Sequence, residues 1–544
     1  MKKNIKWYAT RLTKMKPKEL YFRFYELFLL IVVRFLFKYR KTKDKSSLVH
    51  FKETTVLEEL YKDKDKDKEN KIEVLLESCK SKTNSYDNDF FKSLKFNGDD
   101  YRLLWNDYRF NDILILSMRE QCFFNSFLHF KENNPYLHGI NYISTMECAI
   151  RCINLYSALT IQKEKGRYLS CEENIEYFGF FEDNLLIIST RISRFSSRGN
   201  HTLFEYAGCY ICSLAINNQR LVDKYYKLLI EEIDFQINSD GSGIEQSIDY
   251  HMFNLDVIIL LEYITNIKFI SDSKRESSLN FLSCFLNDKK IIRFGDSDSS
   301  FLFSRIKLLD LLNNNSNFRN KMDFEDGGYL VVVNDSFKVI IKYGGLGMYP
   351  LFGHGHYDFL SLSLSHKGKE ITKDSMTYLY SSKLRKKIRS IEYHSMPFID
   401  EDIKQLSNFS WEKDKKGEVL STESNTIYSH LSFAYPHQTG QITRDVYIFN
   451  DFIIVVDSTE CENVGLNVSW LLDFDNLEFL SIYNSKFISL NPKIEKINFS
   501  TNYGCLNDVA HRVTVSSSKR IISVWNYSKM SNPDLIVFFK EIMK

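Results

Sequence analysis

Between Gly353 and Asp358 the sequence reads Gly-His-Gly-His-Tyr-Asp. Two imidazoles, His354 and His356, stand two apart, and the carboxylate of Asp358 follows two further on. Imidazole changes charge near neutral pH and ligates metals, so this spacing offers acid–base or metal chemistry. In a strand, residues at i, i+2 and i+4 share one face. If a strand has begun by Gly353, the three side chains point the same way. Phe359, Leu360, Leu362 and Leu364 then continue it with a buried side, and Lys367-Gly368 turns into a return strand. A lone His-x-His is more often an ordinary polar pair on a surface, so the weight rests on companions elsewhere.

Three other stretches supply them. In SSRGNHTLFEYAG (196–208), turn residues lead into a helix, and Thr202 with Glu205 fits a capping box. Asn200 and His201 then sit at a helix N-terminus, where free N–H groups and the dipole favour an anion. In SDGSGIEQSIDYHMFNLD (239–256), Ser242 with Glu245 is a second capping-box candidate. Gln246, Tyr250 and Asn254 fall on one face behind it, a polar stripe that would suit a lined cavity. IIRFGDSDSS (291–300) reads as a turn; Asp296 and Asp298 are too few oxygens for a calcium loop. Glu147 and Arg151, one turn apart, read as a solvated helix pair, and WNDYRF (105–110) contributes Arg109.

These residues need a scaffold of two kinds. From about Asp87 to Leu312 apolar residues recur at three and four, the helical period. From about Asp323 the pattern changes to strands, opening with a hairpin signal around Asn334-Asp335-Ser336 in GYLVVVNDSFKVIIKYG (328–344). Further strand pairs follow: Phe359–Ser365 with Glu370–Tyr378, Asp445–Phe449 with Phe452–Asp457, then Asn467–Leu472. Such patterning predicts a sandwich of antiparallel sheets after an all-helical domain. The expected division is an N-terminal basic and apolar helical arm at 1–60, a helical domain at 61–322 and a β-sandwich at 323–544. Within the arm, residues 17–40 read as a helix with Pro17 in its first turn. Lys14, Lys16, Lys18, Arg23, Arg34, Lys38, Arg40, Lys41 and Lys43 surround its apolar run. One reading is a helix lying on an anionic membrane surface; the other is a helix packed on its own domain. KDKDKDKENK (62–71) is a mixed-charge loop.

The totals narrow the function. At 544 residues, two large domains are expected. The net charge of +2 gives no reason to expect a nucleic-acid-binding surface. Ten cysteines are scattered without a dense framework, and Cys209-x-x-Cys212 lacks a second pair at zinc-finger spacing. Buried free thiols fit best, which leans towards a reducing compartment. MKKNIKWYATRLTKMK is not a secretory signal, so a cytoplasmic, membrane-peripheral location is expected.

Taken in order, RGNHTLFEYAG (198–208), DGSGIEQSIDYHMFNLD (240–256), FGDSDSS (294–300), GHGHYDFLSLSL (353–364), KDSMTYLY (373–380) and RSIEYHSMP (389–397) resemble the heparinase II/III family of polysaccharide lyases. The resemblance runs from roughly residue 100 to 460. It implies an incomplete (α/α) toroid followed by an antiparallel β-sandwich, in agreement with the residue patterns. It also implies β-elimination on a uronic-acid-containing chain, with an acidic polysaccharide or oligosaccharide as partner. By the same resemblance Asn200 and His201 neutralise the uronate carboxylate. Tyr250 serves as acid and base, and His354 is the base for substrates whose proton lies on the opposite face. Arg198, Glu205, Glu245 and Gln246 shape the subsites. His356, Asp374 and His394 match the positions that bind a structural Zn2+. Two histidines and a carboxylate are sound zinc chemistry. In an ideal hairpin, however, Asp374 sits opposite Ser361, roughly 17 Å along a strand from His356, so a bulge or another register is required. The opening RLTKMKPKELYFRF (11–24) is similar to that of members associated with bacterial surface-polysaccharide genes.

Three positions depart from the family pattern: Ser395-Met396 follow His394 where Asn-Thr is usual, Met376 stands for a glycine, and Trp470 stands near a position often held by His. Two other readings therefore stay open. One is a glycoside hydrolase on the same scaffold, which needs two carboxylates across a cleft. The other is a non-catalytic glycan-binding or assembly protein.

Overall fold

The computed structural model describes residues 12–39, 48–52, 100–287, 290–297, 302–315, 320–400, 416–437, 439–462, 464–500, 503, 506, 508–528 and 530–542. The loop expected at 62–71 and Asp298 lie outside them. The chain divides into two compact units: 1–236 with 252–272 and 300–311, and 237–251 with 273–299 and 312–544.

The first unit is helical. Its longer elements are α1 (Pro17–Tyr39), α2 (Asn111–Met118), α3 (Phe124–Asn133), α4 (Thr145–Glu164), α5 (Cys171–Thr190), α6 (Asn200–Ala215) and α7 (Gln219–Gln236), followed by most of α8 (Ile248–Thr265). Every residue from Thr145 to Gln162 is buried, so α4 is an inner helix rather than an amphipathic surface one. A Cβ on Gly208 of α6 would fall 2.5 Å from Ala149 Cβ of α4, so the two backbones approach as closely as small residues allow. Ser170 caps α5: its Oγ accepts from Glu173 N at 3.1 Å, and the Glu173 carboxylate accepts from Ser170 N at 2.8 Å. The expected solvated pair of Glu147 with Arg151 is not formed. Glu147 is buried and takes a bidentate bond from Arg109 at 2.8 and 2.7 Å, while Arg151, also buried, donates to Asn141 O. The long-range partner wins because both side chains face the helix array, where a fork-shaped guanidinium satisfies a carboxylate fully.

The second unit is built on antiparallel sheets. After a short antiparallel pair, β1 (Leu286–Asn287) with β2 (Lys290–Ile291), strands β3 (Lys321–Phe324), β4 (Tyr329–Val333), β5 (Phe337–Lys342), β6 (Ser361–His366) and β7 (Lys369–Glu370) form a five-stranded meander. A six-stranded sheet is ordered β14 (Leu480–Asn484), β17 (Arg520–Asn526), β12 (Phe452–Thr459), β11 (Gly440–Ile448), β10 (Ser429–His437), β9 (Glu418–Ser424). A four-stranded sheet is ordered β15 (Lys493–Phe499), β16 (Asp508–Ser517), β13 (Leu466–Leu472), β8 (Pro397–Ile399). Their inner faces share one apolar core that includes Ile341, Leu362, Phe433, Val455, Trp470 and Trp525. The hairpin at Asn334-Asp335-Ser336 forms, with Asn334 Oδ1 accepting from Ser336 N and Phe337 N. The hairpin expected at 359–378 is much shorter. It pairs only Ser365 with Glu370 and His366 with Lys369. At Thr372 the chain leaves β6 and bridges to Leu472 of β13, and Lys373 N donates to Leu471 O at 2.7 Å. Asp374 is thereby released from the hairpin register that would have kept it far from His356.

Candidate functional site

His354, His356 and Asp358 lie in a loop, not a strand; β6 begins only at Ser361. Two backbone features hold the loop. A Cβ on Gly355 would stand 2.0 Å from Leu346 O, so only glycine fits. The buried Arg389 also donates to Gly355 O at 3.0 Å and Phe352 O at 2.6 Å. Asp358 turns away and pairs with Lys342, both side chains fully buried. The two histidines nevertheless converge, on the carboxylate of Asp296. His354 Nδ1 lies 3.2 Å from Asp296 Oδ2 and His356 Nε2 lies 3.0 Å from Oδ1.

Asp296 is the hub. It is fully buried and also accepts from Thr377 Oγ1 at 2.6 Å and from Arg385 at 2.9 and 2.6 Å. Its backbone N donates to His354 O at 2.8 Å. Burial alone would raise its pKa. The Arg385 charge and the hydrogen bonds from His354 and His356 outweigh that and hold the carboxyl well below the usual range. Gly295, at φ +75°, is what brings this turn against Gln246 O, 2.3 Å from where a Cβ would be.

Tyr250 stands in the first turn of α8, among the residues of the second unit. The cap is Ser247, whose Oγ accepts from Tyr250 N at 3.2 Å and donates to Asp296 O at 2.6 Å. The capping box expected at Ser242 and Glu245 is not formed, because Ser242 bonds to Asp240 instead. The Tyr250 ring stacks on the His354 imidazole, 3.6 Å between centroids. Its hydroxyl meets Tyr380 Oη at 2.6 Å, and Tyr380 Oη lies 3.2 Å from His354 Nδ1. The Arg385 guanidinium sits 4.2 Å above the Tyr380 ring. His354 Nε2 lies 3.2 Å from Glu245 Oε2. Gln246, at φ +55°, donates to Gly327 O at 2.8 Å and leaves its buried Oε1 without a hydrogen bond. The arrangement is a hydrogen-bonded relay of two phenols and an imidazole with a fixed cation beside it. It can accept, hold and return one proton.

Beside it, His356, Asp374 and His394 bring three ligand atoms within 4.8 Å of one another. His394 Nδ1 lies 2.9 Å from Asp374 Oδ1. Burial pushes the His356 imidazole down to about 4, against the pull of Asp296, and burial raises the Asp374 carboxyl.

The remaining residues singled out in the sequence belong to the first unit. α6 starts at Asn200, as expected for a helix N-terminus there. The Thr202–Glu205 box is absent: Thr202 Oγ1 donates to Ser193 O. The fully buried Glu205 accepts from Thr145 Oγ1, from Ser193 N at 2.6 Å and from Ser193 Oγ at 3.0 Å. Burial, offset only in part by these donors, pushes its carboxyl up to about 7. Asn200 is buried beside Met146 Sδ, at 3.7 Å, and His201 is half-buried. Arg198 is taken up by Glu232 at 2.8 Å and lies over the Phe235 ring.

Residues 319–523 match the family described as Heparinase II/III-like, C-terminal. The C-terminal part of the chain is thus similar to that domain. The whole chain is also similar in structure to a heparinase III, with a TM-score of 0.60 at 15% identity over 92% of this chain and 90% of that one. It resembles a heparan sulfate lyase from Pedobacter heparinus with a TM-score of 0.55 at 16% identity over 92% and 88%. This likeness gives the fold: a helical toroid followed by an antiparallel β-sandwich. A search of the curated proteins gives no match.

The heparinase-like domain suits a metal at His356, Asp374 and His394. His356 Nδ1 and His394 Nε2 are buried without a hydrogen bond. The bond from His356 Nε2 to Asp296 is the kind of outer contact that fixes a ligand's tautomer. Two imidazoles and a carboxylate at this spacing are a donor set that a divalent metal ion can use. Sequence reasoning missed Asp296, Tyr380 and Arg385. Asp296, in FGDSDSS, and Tyr380, in KDSMTYLY, stand in motifs that carry the resemblance but were given no role, and Arg385 carries no spacing signal that ties it to Tyr250. Trp470, Ser395 and Met376 have structural places. Trp470 is a core residue donating to Ser523 Oγ at 3.1 Å, Ser395 Oγ accepts from Leu471 N at 3.2 Å, and Met376 Sδ lies 3.8 Å from Arg293.

Proposed function

We propose that the protein is a polysaccharide lyase that cleaves a uronic-acid-containing glycan by β-elimination, in bacterial surface-polysaccharide metabolism. The observation that carries this reading is the Tyr250–Tyr380–His354 relay beside Arg385, in which His354, Tyr380 and Arg385 fall within the heparinase II/III-like match and Tyr250 comes from the segment before it. Elimination breaks the C5–H bond α to the carboxylate, forms a C4–C5 double bond and expels O4, which takes up a proton. Tyr250 serves best as the group that removes the C5 proton as phenolate and returns it to O4. The Tyr380 hydroxyl and the Arg385 charge favour that phenolate, as base catalysis near neutral pH requires. Asn200 and His201, at the start of α6, are assigned to the substrate carboxylate, where they offset the charge that builds up as the proton leaves. His354 is the base for the opposite face; Nε2 must first leave Glu245, which makes Glu245 a gate on that route. Gln246 and Arg198 are assigned to subsites, and Glu205 to holding the turn before Asn200. A zinc ion at His356, Asp374 and His394 would supply a structural cross-link between three loop segments.

The experiment is absorbance in the far-ultraviolet band of a conjugated uronate, over a panel of acidic polysaccharides, with wild type and Tyr250→Phe side by side. A rise with wild type alone supports elimination. Cleavage without that absorbance makes the protein a hydrolase, and binding without turnover, unaffected by Tyr250→Phe, makes it a glycan-binding protein.

A further inference from the structure

Helix α1 packs one side on the protein, with Val33 buried and Phe22 against Phe195, yet it leaves a second apolar face uncovered. Three of its charged residues face the protein: Glu19 is buried and accepts from Ser196 Oγ, and Arg23 reaches Ser197 Oγ at 2.7 Å and Glu26 at 3.1 Å. Its outer face is apolar. Tyr21, Phe24, Phe28, Ile31 and Phe35, spaced three and four apart, are 73%, 69%, 61%, 68% and 62% exposed. Tyr25, Leu27, Val32 and Leu36 are exposed beside that stripe. At 3.6 residues per turn and 1.5 Å per residue these nine side chains cover about 180° of the helix surface over about 23 Å of length. Contiguous exposed apolar surface of this kind marks an interaction site.

Width and charge decide the occupant. A second helix needs a narrow seam along one stripe; an apolar half-cylinder fits immersion in an acyl layer. Lys14 and Lys16 are exposed just before the helix, Lys18 is exposed in its first turn, and Arg34 is exposed near its end. The sequence continues after Tyr39 with Arg40, Lys41 and Lys43, outside the described residues. The acidic residues of α1, Glu19 and Glu26, are both paired with Arg23. No described helix is long and apolar enough to cross a membrane. We infer that α1 lies in the interface of an anionic lipid bilayer, with the Tyr21–Phe35 stripe among the acyl chains and the flanking cations at the headgroups.

The full chain is mixed with vesicles of phosphatidylcholine alone, or with about a third phosphatidylglycerol, and bound protein is separated by flotation. Binding at least tenfold tighter to the anionic vesicles is expected. It should fall at least tenfold in Phe24→Glu/Phe28→Glu, whose side chains are outward and leave the thermal midpoint unchanged. No binding to either vesicle, or equal binding by the variant, overturns the inference. So does a wild-type dimer in sedimentation velocity that the double variant turns into a monomer, because the stripe would then be a contact between two copies.

Discussion

Replacing Asp296 by Asn tests the centre of the site. The side chain keeps its size but loses the charge that faces the bidentate Arg385 guanidinium and accepts from Thr377. Removing one partner of a buried ion pair costs about 3–5 kcal/mol. The Arg385 side chain is 15% exposed, so water offsets part of the loss and about 3 kcal/mol is expected. The cost belongs to the pair. In a cycle with Arg385→Met the double variant should therefore recover at least about 1.5 kcal/mol of the summed losses. Urea unfolding is followed by the fluorescence of Trp470 and Trp525, both buried in the sandwich core. Lyase turnover should drop at least about a hundredfold, because an amide keeps only one acceptor oxygen and one of His354 and His356 loses the group that orients it. Normal turnover in Asp296→Asn, or a coupling with Arg385→Met below about 0.5 kcal/mol, would falsify the hub.

Three further outcomes are expected. Tyr380→Phe removes the partner hydroxyl of Tyr250 and should lower kcat by at least about tenfold with little change in KM, read from the uronate absorbance; an unchanged kcat removes Tyr380 from the relay. Purified protein should carry close to one zinc per chain by elemental analysis, and His394→Ala should lose it and lower the thermal midpoint; metal-free wild type whose midpoint ignores added zinc counts against the site. Glu205, pushed up to about 7 from 4.5, binds its proton more tightly folded than unfolded, so its contribution is fully present below about 4.5 and lost as pH rises through about 7. The loss is roughly 3 kcal/mol, and Glu205→Gln should flatten the stability profile across that window; an unaltered slope refutes the assignment.

The fold was legible because its signals are periodic. The switch from a helical to a strand period near Asp323 marks where the described elements change, and the hairpin at Asn334-Asp335-Ser336 forms in register. What failed was local grammar at the site. Thr202 with Glu205 and Ser242 with Glu245 have capping-box spacing, yet each acid went elsewhere, Glu205 to Ser193 and Glu245 to His354. Glu147 left Arg151 for Arg109, 38 residues away. In each case a buried carboxylate took a long-range partner that a rule based on spacing cannot see. His354 and His356 were singled out for sharing a strand face; they sit in a loop and meet only because Asp296 arrives from another segment.

The three departures from the family pattern bear on how much of the machinery is intact. Ser395 uses its oxygens on the backbone: its O accepts from Leu362 N and Arg444 Nη1, its Oγ from Leu471 N. Trp470 fills the core between β13 and β17, with the Arg444 guanidinium 5.1 Å from its ring and Trp525 packed edge-on. Met376 touches Arg293, which is itself held by Asp249 at 3.1 Å. None of the three bonds to Tyr250, Tyr380, His354 or Asp296. They are packing and positioning groups, and a change there alters how loops are held more than which groups move protons. The proposed relay hangs instead on Asp296, which no family departure touches and whose one carboxylate serves both His354 and His356 of the proposed metal site. A loss of metal should therefore loosen the relay through that shared acceptor, whereas restoring the family glycine at Met376 should leave the relay's hydrogen bonds as they are.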